Sequence, residues 1–403
     1  MKILLAHKFH RLTGGAEVFY FEVARVLKEN GHEVAFFTTE DPGNISTGDK
    51  TYTVSAPDYS SGSVVKKLIG TKDIFYSKNK KTAFNEAIND FKPDIIHVFA
   101  IHVHLTPSIL EAAKEGGVPV VMSCNDYKHI CPNYKLYDGS ALCEACKGFK
   151  FHNAVVKKCC KGSFMFSVAS AIEAYIHESK KVYDNYVDRY LFASEFMLNK
   201  TKEFWDKKDV NYGVLKNPFN ATEYSPVYGG DFALYFGRII GEKGVECIIN
   251  AAKKTDVPIK IVGDGPGMDG IKSEVEDSGL THVEIIGPAW GEALDKLLYA
   301  ARFVIVPSLW HENFPYVIFQ AFAAGKPVLG SLRGGIPELV GEDRGLLFEP
   351  DDTDDLVDKM NSLWHDANGV ISQGKNAREY VVREFSDSVF YKSLMSNYEA
   401  VIK

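Results

Sequence analysis

The sequence predicts a parallel α/β protein built as two tandem halves. At 403 residues the chain exceeds the size at which one hydrophobic core keeps growing, so two domains are expected. Each half opens on a short apolar run, a glycine-bearing loop and an amphipathic helix, the order of a parallel sheet whose strands are joined by helical crossovers. A stretch rich in turn formers separates the halves.

Lys2 to Ala6 reads as a strand, Gly14-Gly15 as a turn, and Ala16 to Glu29 as a helix with Phe19, Val23, Val26 and Leu27 on one face, ended by Gly31. Val34 to Thr38 completes a βαβ unit. Asp94 to Phe99, Val118 to Ser123 and Arg189 to Ala193 read as further strands, with a helix near Pro107 to Glu115. The break runs from Leu215-Lys216-Asn217-Pro218-Phe219-Asn220 to Gly229-Gly230. Alternation then restarts with strands Phe232 to Phe236, Ile259 to Val262 and Val283 to Ile286, and helices Gly244 to Lys254 and Met268 to Ser278. The expected domains are 1–215, with a cysteine-rich excursion at about 124–163, then 216–385. A helix within 386–403 carries Val389, Phe390, Leu394 and Tyr398 as a stripe expected to return to the first domain.

With 53 acidic and 46 basic residues the net charge is -7, which argues against a nucleic-acid partner. No run approaches the roughly 18 apolar residues of a membrane span, and the N-terminal apolar run is too short for a secretory segment, so a cytoplasmic location is expected. Lysines nonetheless cluster, with six between residues 64 and 81 and five between 147 and 161, the latter beside Phe149, Phe151 and Phe164. Such clusters read either as solvated surface or as a patch that meets an anionic lipid surface, placing the protein peripherally at the membrane inner face, or a polyanionic acceptor.

The chemistry-bearing motifs lie in the second half. Strand Phe232 to Phe236 runs into Gly237-Arg238-Ile239-Ile240-Gly241-Glu242-Lys243-Gly244 and then a helix. A strand-to-helix loop offers backbone N–H groups and a positive helix end to an anion, and Arg238 and Lys243 add two cations. A departing diphosphate needs that preorganised compensation. Gly263-Asp264-Gly265 repeats the setting after the next strand. Val304-Ile305-Val306-Pro307-Ser308 leads to Trp310-His311-Glu312-Asn313-Phe314-Pro315, then a helix through Gln320. Glu312 and Gln320 stand eight residues apart, about two helical turns. Gly334-Gly335-Ile336-Pro337-Glu338 follows.

In this order these residues resemble the retaining nucleotide-sugar glycosyltransferases of family four, over essentially the whole chain and most specifically over 232–340. The resemblance implies the GT-B fold: two facing Rossmann-like domains with parallel sheets and an interdomain cleft. It implies that Arg238 and Lys243 hold the diphosphate of a nucleotide-sugar donor, that Glu312 contacts the donor sugar, and that Gln320 holds the ribose. Gly14 and Gly15 close over the diphosphate. Gly237, Gly263, Gly265, Asn313, Phe314, Tyr316 and Val317 complete the donor side, with Ile286 and Gly287 near the base. In the implied mechanism the acceptor hydroxyl attacks on the face the diphosphate leaves, and a donor phosphate oxygen takes its proton. Three positions depart from the family pattern: Gln320 stands where glutamate is usual, Pro315 where glycine is usual, and Asn125-Asp126-Tyr127 where His-Asp-Tyr is frequent.

His102 and His104, at the end of a predicted strand that also holds His97, are candidates for the acceptor or sugar side, with Asn125 and Asp126. No Asp-x-Asp ends a strand where a donor-bound cation would sit, so no cofactor is required for the chemistry. The spacing of Cys131, Cys143, Cys146 and Cys159, or Cys160 in its place, leaves three readings open: a structural zinc, unligated thiols, or disulfides. The function expected is transfer of a sugar, with a UDP-sugar favoured, to a glycan or lipid-linked acceptor in polysaccharide, glycolipid or glycoconjugate synthesis. The alternatives are a GT-B nucleotide-sugar epimerase, which would release epimerised sugar without acceptor, and a non-catalytic nucleotide-sugar-binding scaffold.

Overall fold

The computed structural model describes residues 1–56, 75–205, 210–350 and 352–402. The chain divides into two compact units. The first holds the described residues of Met1–Asp138, Cys143–Pro218 and Phe390–Lys403, and the second is built on Phe219–Val389.

In the first unit, strands β1 (Lys2–Ala6), β2 (Glu33–Thr39), β3 (Thr51–Val54), β4 (Ile95–Val98), β5 (Val120–Cys124), β6 (Arg189–Phe192) and β7 (Tyr212–Val214) form one sheet. Their order is β3-β2-β1-β4-β5-β6-β7, every pair parallel. A parallel sheet is covered on both faces, so successive residues of one strand enter different cores. Leu4 and Ala6 pack with Phe37, Phe84, Ile96 and Ile109, under helices α2 (Lys78–Phe91) and α3 (Ser108–Glu115). Ile3 and Leu5 point the other way, to Phe19, Tyr20 and Val23 of helix α1 (Gly15–Glu29). The unit continues through α4 (His152–Lys157), α5 (Phe164–Ser179), α6 (Val182–Tyr186) and α7 (Glu195–Trp205).

The second unit repeats the topology. Strands β8 (Ala233–Phe236), β9 (Ile259–Val262), β10 (Val283–Gly287), β11 (Phe303–Val306), β12 (Val328–Ser331) and β13 (Gly345–Phe348) run parallel in the order β10-β9-β8-β11-β12-β13. Helices α8 (Val245–Ala252), α9 (Met268–Asp277), α10 (Glu292–Ala300), α11 (Tyr316–Ala323), α12 (Ile336–Val340), α13 (Thr353–His365) and α14 (Ala367–Glu384) follow. In both sheets the strand order reverses between the first and fourth strands. That reversal opens a crevice outside the carboxyl ends of the strands, where ligands bind in such sheets.

Helix α15 (Asp387–Glu399) belongs to the first unit from Phe390 onward. Phe390, Leu394 and Tyr398 are buried with Ile3, Leu5 and Phe19, each such burial stabilising by about 1.5–3 kcal/mol. The Tyr398 hydroxyl also meets His97 Nδ1 at 2.8 Å, and Ser123 Oγ meets the Nε2 of the same ring at 2.8 Å. His97 is thereby fully committed to the core. Among the described residues, no helix is long and apolar enough to cross a membrane.

Candidate functional site

In the second unit the loops after β8 and β11 leave the sheet side by side at the strand-order reversal, and this adjacency joins Lys243 to Glu312. Lys243 Nζ lies 2.5 Å from Glu312 Oε1. Ser308 Oγ and Trp310 Nε1 donate to the same oxygen at 2.8 and 2.9 Å. Glu312 is buried. Burial works to raise its carboxyl, but the Lys243 charge and the three hydrogen bonds outweigh it and hold the group below the ordinary carboxylate range. Glu312 is therefore an anion of fixed orientation at neutral pH. Ser308 and Trp310 were not singled out in the sequence, although they stand four and two residues ahead of Glu312. A hydroxyl and an indole N–H at the end of a buried strand were the available signal.

Backbone hydrogen bonds tie these edge loops together. Gly237 and Ile239 donate to Val262 and Asp264 of the neighbouring loop, Gly263 donates to Gly287, Leu309 to Glu242, and Gly335 to Glu312. At Gly263 the approach is closer than a side chain allows. Gly263 has φ +152, and a Cβ there would sit 1.8 Å from the Gly237 oxygen. Gly263 and Gly265, expected on the donor side, thus have a structural task, since a Cβ on Gly265 would sit 2.3 Å from the Ile239 oxygen. Arg238 lies exposed on this framework, its carbonyl accepting from the Tyr235 hydroxyl at 2.7 Å.

Beyond Glu312, the Phe314 ring is buried against Phe319 and Phe385, 5.6 and 5.9 Å between centroids. It serves the core, not the surface. Asn313, Tyr316 and Val317 are half-buried around it, and Ile286 is exposed at the end of β10, one residue before Gly287. Gln320, on the second turn of α11, donates from Nε2 to the Tyr224 hydroxyl at 3.3 Å. Tyr224 is a further partner that sequence reasoning missed.

In the first unit Gly14 caps α1 in an extended conformation and Gly15 opens the helix. His7, beside them at the end of β1, stacks on Tyr20 at 5.0 Å between centroids. Burial pushes its imidazole down to about 3, so its approach to Glu17, at 3.8 Å, is that of a neutral ring. After β4 the backbone makes a tight turn in which His104 N donates to the His102 oxygen at 2.7 Å. Val103 at its centre has φ +63. A β-branched residue in that region is strained, and such strain concentrates at functional sites. Burial lowers both histidines, His102 well below its ordinary value and His104 to about 4. His102 Nδ1 meets the Tyr183 hydroxyl at 2.9 Å, and the His104 ring packs edge-on against Phe9. Following β5, Asn125 and Asp126 are half-buried, and Asp126 Oδ1 accepts from Lys128 N at 2.9 Å. Burial raises the Asp126 carboxyl. Lys128 reaches Glu173 of α5 at 2.7 Å in a buried ion pair beside His177, lining a small cavity.

The zinc reading is corrected. Among the described residues no group of three or more His, Cys, Asp or Glu side chains could hold a metal ion, and Cys131, Cys143, Cys146, Cys159 and Cys160 are free thiols. Cys146 is buried with Phe151, Ala154 and Ala171, where burial pushes its thiol up to about 12 and it acts as a small hydrophobic side chain, while Cys160 in the same cluster is hydrogen-bonded by Cys159, which holds its thiol below the ordinary value. Of the two lysine clusters, residues 64–74 lie outside the described residues, while Lys81 pairs with Glu111 and Glu115 on α3.

With this geometry in place, the comparisons define the class. Residues 13–205 match Glycosyltransferase Family 4 and residues 224–380 match Glycosyl transferases group 1. The chain belongs to the family-four type of glycosyltransferases and has the GT-B fold. It is similar to the sulfoquinovosyl transferase of Arabidopsis thaliana, 25% identical over 88% of this chain and 64% of that protein. The match spans less than two thirds of the length of the first curated relatives. Among solved structures, sucrose-phosphate synthase from Thermosynechococcus elongatus superposes with a TM-score of 0.72 at 18% identity, covering 99% of this chain and 98% of its own. HepE of Anabaena in complex with UDP and glucose superposes with a TM-score of 0.67 at 18% identity, covering 99 and 100%.

Proposed function

We propose that this glycosyltransferase moves a sugar from a nucleotide diphosphate donor, with UDP as the nucleotide, to a glycan or lipid-linked acceptor in polysaccharide or glycolipid assembly, with retention at the anomeric carbon and without a metal in the chemistry. The observation that carries the reading is the Lys243–Glu312 pair at the strand-order reversal of the second sheet, with Arg238 exposed on the adjoining loop. A leaving diphosphate develops charge, and cations fixed beforehand on a hydrogen-bonded framework offset it without waiting for solvent. Glu312, held ionised and locked by Ser308 and Trp310, orients the donor sugar. The similarity to HepE, whose solved complex holds UDP and glucose, supports the choice of nucleotide.

Lys243 serves both the carboxylate and the diphosphate: one ammonium bridges the group that positions the sugar and the group that leaves it. Neutral His102 and His104 offer hydrogen bonds to hydroxyls without adding charge. A screen of nucleotide sugars by thermal shift tests the donor, since a ligand that binds only the folded chain raises the unfolding temperature. UDP-sugars are expected to shift the midpoint and GDP-sugars not to. NMR of the product made with the best donor is expected to show the donor's anomeric configuration, and an inverted product would refute the retaining assignment.

A further inference from the structure

Helix α5 is packed inside out. On a helix of about 3.6 residues per turn, Phe164, Met165, Val168, Ile172, Tyr175 and Ile176 fall on one arc that carries no charged residue, and this arc faces outward. Phe164 is 52% exposed, and Ile172 and Tyr175 are each 40% exposed. The opposite arc is buried and holds Ser167, Glu173 and His177. Its polar groups have partners: Glu173 pairs with Lys128, Ser167 Oγ accepts from Cys160 N and donates to the Ser163 oxygen, and His177 approaches the Phe75 oxygen. The rotation of the helix is therefore fixed from within. Turning the apolar arc inward would carry Glu173 away and strand the buried ammonium of Lys128, so the exposed arc remains a surface that water does not favour.

Positive charge flanks this arc in the chain, although Lys147 and Lys157 pair with Glu203 and Asp138. Between residues 147 and 181 the chain has seven lysines against Glu173 and Glu178, a local excess of five in a protein whose net charge is -7. Lys147, Lys150, Lys157, Lys158, Lys161 and Lys180 are all exposed, and Val156 on α4 adds a 75% exposed apolar side chain. Exposed apolar side chains flanked by exposed lysines match the boundary of an anionic bilayer, where the chains enter the acyl layer and the ammonium groups meet phosphates. We propose that the outward face of α5, with the lysines around it, docks the first unit on membranes containing anionic lipid. The proposal deepens the reading above, in that a lipid-linked acceptor would be met at this surface, but the docking stands on α5 alone.

The test is co-sedimentation of the full chain with vesicles of phosphatidylcholine, with and without phosphatidylglycerol, at low and high salt, in the absence of donor and acceptor. The wild type is expected to partition at least about tenfold more strongly onto the anionic vesicles, less so at high salt. Phe164→Ser/Ile172→Ser should lose about tenfold or more of that binding, and Lys158→Glu/Lys161→Glu should weaken it and flatten its salt dependence. Circular dichroism and the thermal shift given by UDP check that each variant is folded. Equal wild-type partition onto both vesicles, or undiminished binding by the serine variant, overturns the proposal. So does a serine variant that changes oligomeric state while binding vesicles normally, which would make the face an interface between copies. A chain that binds anionic vesicles yet transfers no sugar refutes the transferase reading and leaves the docking face intact.

Discussion

Replacing Lys243 by alanine separates two effects that one ion pair combines. Glu312 is 7% exposed, and three donors share its Oε1. Removing the partner of a fully buried charge costs about 3–5 kcal/mol. The Lys243 side chain is 26% exposed, so solvent screens part of the pair, and we take about 2 kcal/mol for Lys243→Ala. In a domain of this size that lowers the melting midpoint by about 4–8 °C. The sign of the pH dependence then inverts. In the wild type the Glu312 carboxyl sits below its ordinary value, so its stabilisation is present at neutral pH and fades as pH falls through the folded value. Without the cation, burial raises the carboxyl above its unfolded value, so the penalty is largest at neutral pH and shrinks toward pH 4. Lys243→Ala/Glu312→Gln removes charge from both sides and keeps an amide oxygen for Ser308 and Trp310. It should recover most of the lost stability and none of the activity. Thermal melts at pH 7 and 5, with transfer assays on the same preparations, check all three outcomes. A double variant as unstable as Lys243→Ala, or a Lys243→Ala deficit independent of pH, would refute the electrostatic account of this pair.

Arg238→Ala, on an exposed residue, should leave the melting midpoint unchanged and lower kcat by about two orders of magnitude, as loss of one preorganised donor does; normal turnover would remove Arg238 from the diphosphate site. Gln320→Glu should remain active with donor affinity altered by less than about tenfold, near 1.4 kcal/mol, because the Tyr224 hydroxyl can reverse its bond and donate to the carboxylate. Gln320→Leu should lose the wild type's preference for a UDP-sugar over its 2′-deoxy analogue, and a leucine variant that still discriminates would take position 320 off the ribose. Gly263→Ala should yield little folded protein, since its Cβ would overlap the Gly237 oxygen and its φ strains any side chain; an alanine variant with wild-type melting would refute the interlocked-loop argument.

The parallel α/β architecture was legible because buried strands read as short apolar runs. Lys2–Ala6 and Ile259–Val262 read as strands with their observed ends, and Phe232 to Phe236 starts one residue before the observed Ala233–Phe236. Strand β3, by contrast, reads Thr-Tyr-Thr-Val with only Val54 buried, and β7 has three residues at the sheet edge, so neither carried an apolar signal. Helix α5 is not read from the sequence, because its buried face holds Ser167, Glu173 and His177 while its apolar residues face outward, so no inward apolar stripe marks it. Within the site, the motif order brought Arg238, Lys243 and Glu312 to attention. That Lys243 and Glu312 touch could not be read, since they are 69 residues apart and meet only because β8 and β11 are neighbours in the sheet. The thiols show the opposite failure. Their spacing is compatible with a metal knot, but spacing fixes the reach of the chain and not where each Cβ points, and here two of them point into an apolar cluster.

The duplicated topology explains why the site chemistry concentrates where it does. Both units reverse strand order at one place, yet only in the second do the two loops at that place carry opposite charges that touch. In the first, the loop after β1 carries Lys8 and Arg11 beside His7, and the loop after β4 carries His102 and His104, both held neutral by burial, with a strained turn at Val103. A donor that leaves as a polyanion needs cations fixed in advance, whereas an acceptor hydroxyl needs only hydrogen-bonding partners that do not compete for its proton. In the proposed function the Lys243–Glu312 pair of the second sheet would serve the donor, and the neutral histidines after β4 would serve the acceptor. This reading predicts which of these loops the nucleotide protects. Hydrogen exchange with UDP should slow amides of 237–244 and 308–314 and leave those of 99–106 unchanged. Equal protection of the 99–106 loop by the nucleotide alone would sink this assignment of roles.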